Sequence, residues 1–254
     1  MSSLSRYFQA ERIKWRKSWV LVTAVLAPIC LSVNLFIILW FNPYLVRRFR
    51  PGFEFWIEIN YLAWNLVFLP ILVGLVCDLS WEQELESKAW NNLLIQPVSR
   101  STHFHVKLLS HFSLAAFSQV LLALLLIPGG FILRTHLGWV MGEFQPAVLW
   151  RFAGYSFLAS IPLVAFHTWL SARFPGLGIA LLTGLGGTWV CARLAGTTSL
   201  IQFAPWGMAS QMIAFFDRLN RHIPWEFFLG ALLVAIALMW LGTLDFTRNR
   251  EPKH

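Results

Sequence analysis

The chain is short of charge. Asp, Glu, Lys and Arg make up 13% of its 254 residues, hydrophobic residues 57%, and mean hydropathy is +0.60. A soluble domain carries about 25% charged residues. This shortage excludes an ordinary soluble enzyme and a disordered chain, because so much apolar surface cannot be hidden in one soluble core. Cysteine is scarce as well. Cys30, Cys77 and Cys191 are widely spaced in or beside apolar runs, which excludes a secreted disulfide scaffold. They read as buried thiols. There is no G-x-x-x-x-G-K-[ST], so no Walker loop cradles a nucleotide, and no H-E-x-x-H or G-x-S-x-G offers a hydrolase site. No string of Asp and Glu runs through the apolar stretches, which speaks against a proton- or sodium-driven pump.

What is present is long apolar runs. A bilayer core needs about 20 helical residues. Six stretches reach that length, near 19–41, 57–77, 107–133, 151–171, 176–196 and 225–245. The fold class is therefore all-α, a polytopic membrane protein with six transmembrane helices, and residues 1–254 read as a single domain. The third run is longer than needed, so it tilts or breaks at Pro128-Gly129-Gly130. Fourteen Trp and 22 Phe suit membrane–water interfaces.

The net charge of +8 sits in short basic clusters between apolar runs. It reads as topology signal and contact with anionic lipid, with no nucleic acid partner. With both termini inside, the inner segments hold Arg6, Arg12, Lys14, Arg16, Lys17, Lys88, Arg100, Lys107, Arg173, Arg248, Arg250 and Lys253, which is twelve. The outer ones hold Arg47, Arg48, Arg50, Arg134, Arg151, Arg193, Arg218 and Arg221, which is eight. The bias predicts cytoplasmic termini.

Two amphipathic segments lie outside the spans. In residues 4–17, Leu4, Tyr7, Phe8 and Trp15 share one helical face, with Arg6, Arg12, Arg16 and Lys17 off it. This predicts an N-terminal helix lying in the membrane interface. Glu11 falls inside its apolar stripe. It is either a snorkelling or first-turn carboxylate, or a contact with another subunit or an adjacent span.

The second segment, 80–97, lies between spans two and three. Glu82 and Glu86 are one turn apart, and Glu84 with Lys88 forms a favourable i,i+4 pair. Trp81, Leu85, Ala89, Leu93 and Leu94 line one side of a helix that Pro97 ends, and Val98-Ser99-Arg100 turns the chain back. Glu84 and Glu86 are expected to be exposed, so that reversing their charge leaves the fold intact. The segment reads as a docking surface or as a solvated loop.

Here the sequence resembles the membrane subunits of type-2 ATP-binding-cassette exporters, the ABC-2-type permeases, and in particular the small lantibiotic-immunity and bacitracin-resistance group. Glu84 and Glu86 match that group's paired acids, Leu93-Leu94-Ile95 its apolar run, Pro97-Val98-Ser99-Arg100 its turn and Lys107 its following lysine. Lys88-Ala89 stands where Gly-Thr is usual. ERIKWRKSWV, from Glu11, is similar to the group's amphipathic N-terminal helix. The resemblance implies a permease without catalytic, metal or cofactor residues of its own. It implies a second permease subunit, as homodimer or heterodimer, and cytoplasmic ATPase subunits that carry ATP and Mg2+. The ATPase would dock on a coupling helix through Glu82, Glu84, Glu86, Lys88, Trp90, Pro97 and Arg100. Leu4, Phe8, Glu11, Arg12 and Trp15 would form the membrane-interface helix. The cargo would be amphipathic or hydrophobic (a peptide, an antibiotic or a lipid-like molecule), and the location a bacterial inner membrane. A membrane-embedded enzyme acting on lipids, or a non-transporting scaffold, is the alternative.

Other polar residues fit less well into any site. His103, His105 and His111 read as interfacial polar groups rather than metal ligands. His167 and Arg193 lie near span ends and can snorkel, and Asn65 is placed to hydrogen-bond between helices. Gly176, Ala180, Gly184 and Gly187 give span five a small-residue face for close packing. Residues 197–224 read as an external interfacial helix or a re-entrant one.

Overall fold

The computed structural model describes residues 3–16, 18–42, 44, 52–86, 99–138, 143–194, 203–209 and 225–248. The N-terminal helix α1, Ser3–Arg16, packs against α2, Trp19–Phe41. Helix α3, Phe53–Ala63, continues through a π-helical turn, Trp64–Phe68, into α4, Leu69–Glu86. Then follow α5, Arg100–Leu137, α6, Pro146–Arg173, α7, Leu177–Leu194, and α8, Trp225–Arg248. Among the described residues six helices are long and apolar enough to cross a membrane, with α3, the π turn and α4 counting as one.

Outward faces carry Leu182, Trp189, Leu233 and Trp240, all highly exposed in the isolated chain. In water these would be a liability, whereas lipid solvates them. The interior is built from Trp56, Tyr61, Trp64, Leu122, Leu126 and Leu163. Cys77 and Cys191 are buried, but Cys30 is exposed on the outer side of α2, so the expectation of three buried thiols fails there.

Span three is one unbroken α-helix through Pro128-Gly129-Gly130. The ring of Trp56 lies against Gly129 and that of Phe53 against Gly130, and the Trp56 indole donates to the Leu126 carbonyl at 2.9 Å. Neighbouring aromatics thus occupy the space the glycines leave and support the backbone around the proline. The helix also starts earlier than expected. Ser99 caps it, its hydroxyl accepting from the Thr102 N–H at 3.1 Å, which places Lys107 two turns inside rather than at the opening.

The π turn in span two has a local cause. Pro70 lacks an N–H and its ring crowds the carbonyl four residues back, at Leu66. The Leu69 N–H reaches the carbonyl of Trp64, five residues back. Helix α4 then runs unbroken to Glu86, so residues 80–86 are the end of span two and not the start of a separate helix. The remainder of the predicted coupling helix, with Lys88, Trp90 and Pro97, lies outside the described residues, as do Lys17, Arg47, Arg48, Arg50, Arg218 and Arg221.

Spans two and five pack as an antiparallel pair with a four-residue step. A Cβ on Gly184 would lie 2.9 Å from the Pro70 carbonyl oxygen, and one on Gly74 would lie 2.9 Å from that of Ala180. One further step along, the Asp78 carboxylate accepts from the Gly176 N–H at 2.8 Å. Gly176 takes φ of 151°, a region that side-chain-bearing residues avoid. Gly187 meets the indole of Trp206. Trp206 belongs to the short stretch Phe203–Ala209, in which Met208 and Ala209 are fully buried. This part of 197–224 is therefore packed against the bundle.

Candidate functional site: a buried ion cluster at the stem of the loop

Where α4 leaves the bundle and α5 returns, five ionisable side chains from three helices converge. Lys107, on α5, is the centre. Its ammonium donates to the Ser80 carbonyl at 2.9 Å and the Ser80 hydroxyl at 2.8 Å, both on α4. It lies 3.0 Å from Glu84 Oε1 on α4 and 3.1 Å from Glu11 Oε2 on α1. Lys14, one turn along α1 from Glu11, reaches both carboxylates at 2.6 Å. His103 Nε2 approaches Glu84 Oε2 at 3.1 Å.

Side-chain exposure is 1% for Lys107, 2% for Glu84 and 4% for Glu11. Charges removed from water to that degree persist only when paired and hydrogen-bonded. Here two carboxylates, Glu11 and Glu84, meet two ammoniums, Lys14 and Lys107. Burial alone would lower the pKa of Lys14. The carboxylates of Glu84 and Glu11 outweigh it and hold the ammonium above its ordinary 10.5.

An aromatic layer shields the ions. The Trp81 ring centroid lies 5.5 Å from Lys107 Nζ, and Trp81, Phe104 and Phe246 pack together. Phe246 brings the end of α8 to the same place. One residue before it, Asp245 accepts from the Trp169 indole at 3.1 Å and lies 3.8 Å from Arg173.

This geometry revises the sequence reading. Glu84 is buried, not an exposed handle, and Lys14, His103 and Lys107 reach it from other helices. Glu11 proves to be the contact with an adjacent span, which explains a carboxylate inside an apolar stripe. Glu82 is half-buried, Arg100 opens α5, and Arg12 is exposed on α1, where Phe8 and Trp15 meet edge to face at 6.1 Å. The side chains of Leu4 and Glu86 lie outside the described residues, although both positions are helical. Lys14, Ser80 and His103 carry no local signal that marks them as site residues, and Lys107 carries one only through its place in the motif.

Two further polar groupings lie deeper. Ser156, on α6, donates to Asn65 Oδ1 at 2.7 Å and accepts from Gln119 of α5 at 3.0 Å, which ties three spans together. Below it, His111 Nδ1 lies 2.9 Å from the Thr168 hydroxyl and 3.4 Å from the Cys77 sulfur. His167 is fully buried rather than snorkelling, and among the described residues neither of its ring nitrogens has a hydrogen-bond partner. Arg193 lies over the Trp189 ring, 5.5 Å from its centroid. Among the described residues no group of three or more His, Cys, Asp or Glu is arranged to hold a metal ion.

The six apolar helices found among the described residues, with an N-terminal helix pinned across their charged end, define an all-α polytopic membrane protein. Residues 7–187, well over half the chain, match the sequence model of the ABC-2 family transporter proteins. The chain belongs to that family and is a permease, the membrane component of an ATP-binding-cassette transporter. No curated protein and no solved structure matches it.

Proposed function

We propose that the chain is the permease half of an exporter whose ATPase is a separate cytoplasmic subunit docking on the segment between spans two and three. The observation that supports this reading is the ion cluster. Glu84 lies just before residues 87–98 and His103 and Lys107 just after them, so the loop's two stems are bound to each other and to α1. A force applied to such a loop is transmitted to spans two and three together and to α1, instead of being lost in one flexible stem. In this reading Glu82, Glu86, Lys88, Trp90, Pro97 and Arg100 belong to the docking surface, while Glu84 holds the stem. ATP and Mg2+ belong to the partner, because this chain carries no phosphate loop.

Two permease subunits would form the path for an amphipathic or hydrophobic cargo in a bacterial inner membrane. Both termini would be cytoplasmic, with Phe8 and Trp15 of α1 at the lipid interface. The test is gentle-detergent purification of the tagged chain. It should recover a Walker-loop ATPase whose activity falls in a Lys88→Glu/Trp90→Ala variant while the chain's thermal stability is unchanged. Recovery of the folded chain without any ATPase would refute the reading.

A further inference from the structure

His167 and Asp78 are both fully buried within the spans. Among the described residues neither ring nitrogen of His167 has a hydrogen-bond partner, and neither has Asp78 Oδ2 or the indole nitrogen of Trp206. Lipid tails supply no partner either. A buried polar atom left unpaired costs free energy, so a group of them calls for something that pairs with all of its members.

These atoms belong to one seam, between spans two, four and five. His167, on α6, turns an edge of its ring toward α4: a Cβ on Gly74 would lie 3.6 Å from Cε1, the carbon between the two nitrogens. The same Cβ would lie 2.9 Å from the Ala180 carbonyl oxygen on α7. Asp78 is four residues further along α4, on the face that Gly74 presents. Its Oδ1 accepts from the Gly176 N–H at 2.8 Å, at the start of span five. Trp206 stands beside His167, the ring centroids 6.3 Å apart and the planes 85° apart. Its indole also lies against Gly187, about two turns along α7 from Ala180.

The four unpaired atoms divide into donors and acceptors. The carboxylate oxygen accepts, a neutral imidazole offers one N–H and one lone pair, and the indole donates. That is two donors and two acceptors. A cation would answer the acceptors alone and an anion the donors alone. Water gives two hydrogens and accepts two, so it complements the whole set, and buried waters in proteins make two to four such bonds.

We propose that Asp78, His167 and Trp206 line an internal hydration site, in which ordered water joins spans two, four and five. Water donates to Asp78 Oδ2 and to the unprotonated nitrogen of His167, and accepts from the His167 N–H and the Trp206 indole. It enters from the Gly176 end, where Asp78 stands level with the start of span five, and not through hydrocarbon. The site is independent of the exporter reading.

X-ray radiolytic footprinting of the full chain in nanodiscs tests it, because hydroxyl radicals formed from bound water modify the side chains beside it. His167 should be oxidised with rising dose and Trp56 spared. Trp56 is as deeply buried, but its indole already donates to the Leu126 carbonyl at 2.9 Å. A free indole reacts with the radical faster than a free imidazole, so intrinsic reactivity alone would give the reverse order. His167 spared to the same degree as Trp56 would overturn the site. Thermal unfolding gives a second reading. His167→Leu should lower the midpoint, and His167→Gln, which keeps a donor and an acceptor, should recover part of the loss. A dry seam predicts the opposite, a midpoint raised in His167→Leu, because an unpaired buried group has been removed. Equal losses in the two variants would assign His167 to packing and overturn the site as well. A midpoint that rises when sodium or potassium replaces choline at constant ionic strength would assign the seam to a cation instead of water.

Discussion

Lys107 and Glu84 lie on opposite sides of the segment 87–98 in sequence, yet Nζ and Oε1 are 3.0 Å apart and both side chains are almost wholly buried. The pair closes the loop at its base. Removing one member of a buried pair leaves the other charged in a poor dielectric, which costs about 3–5 kcal/mol. Lys107→Met should therefore destabilise the chain by that amount, read as a lowered thermal midpoint in detergent. Adding Glu84→Gln should recover part of the loss, because the orphaned charge is then gone. A midpoint unchanged by Lys107→Met would mean the cluster is open to water.

Helix α1 should depend on Glu11 far more than on its exposed neighbour Arg12. Glu11 contributes to contacts with both Lys14 and Lys107, whereas Arg12 is exposed. Glu11→Ala should speed proteolytic cleavage within residues 3–16 and lower the thermal midpoint. Arg12→Ala should stay within about 0.5 kcal/mol of the parent. Equal behaviour of the two variants would show that α1 is held by its apolar face alone.

The spans were legible because apolar runs of about 20 residues are too long for a buried core helix and match the thickness of a bilayer. The family was legible because Glu84, Pro97-Val98-Ser99-Arg100 and Lys107 keep a recognisable spacing. The cluster was not, because its partners are distant in sequence and no periodicity links α1 to α5. Glu84 misleads for a specific reason: Lys88, four residues on, supplies a sufficient local partner, and a carboxylate with a local partner looks exposed. Glu11 carries the one local hint, a charge on the wrong face. The π turn follows from Pro70, but the sequence alone does not say whether a helix meets a proline by kinking, breaking or widening.

Two glycines of α7 should respond oppositely to the same change. Gly184→Ala places a methyl 2.9 Å from the Pro70 carbonyl oxygen, where neither backbone can yield easily. The expected loss is about 1–3 kcal/mol, as for overpacking elsewhere. Gly186→Ala meets open space and removes a helix-disfavouring residue, a gain of at most about 1 kcal/mol. Thermal unfolding of both variants checks this, and a stable Gly184→Ala would contradict the close approach of spans two and five.

Ser156 is the middle of a chain that runs from Asn65 to Gln119. Its removal leaves Asn65 Oδ1 and Gln119 Nε2 without the hydroxyl that joins them. Interhelical hydrogen bonds in membranes are modest, about 0.6 kcal/mol on average. Ser156→Ala breaks two at once and leaves buried polar atoms unpaired, so about 1–2 kcal/mol is expected. Ser156→Thr, which keeps the hydroxyl, should lose less. A loss as large for threonine as for alanine would assign the effect to packing volume, not to the hydroxyl.

The charge pattern also makes a prediction about orientation. An even number of spans would put both ends on one side, and the sequence assignment would then place twelve of the twenty Lys and Arg on the side of the termini. The ion cluster adds a structural constraint, since Lys14 and Lys107, two of those twelve, are pinned together through Glu11 at the same end as Arg173 and Asp245. Reversing the chain would carry this whole charged end, with the loop it closes, across the membrane, against the positive-inside bias. A reporter fused after His254 should therefore be active only in its cytoplasmic form, and a cysteine placed at Arg12 should resist an impermeant thiol reagent in intact cells. Labelling of that cysteine from outside would reverse the orientation and, with it, the side on which an ATPase could reach residues 87–98.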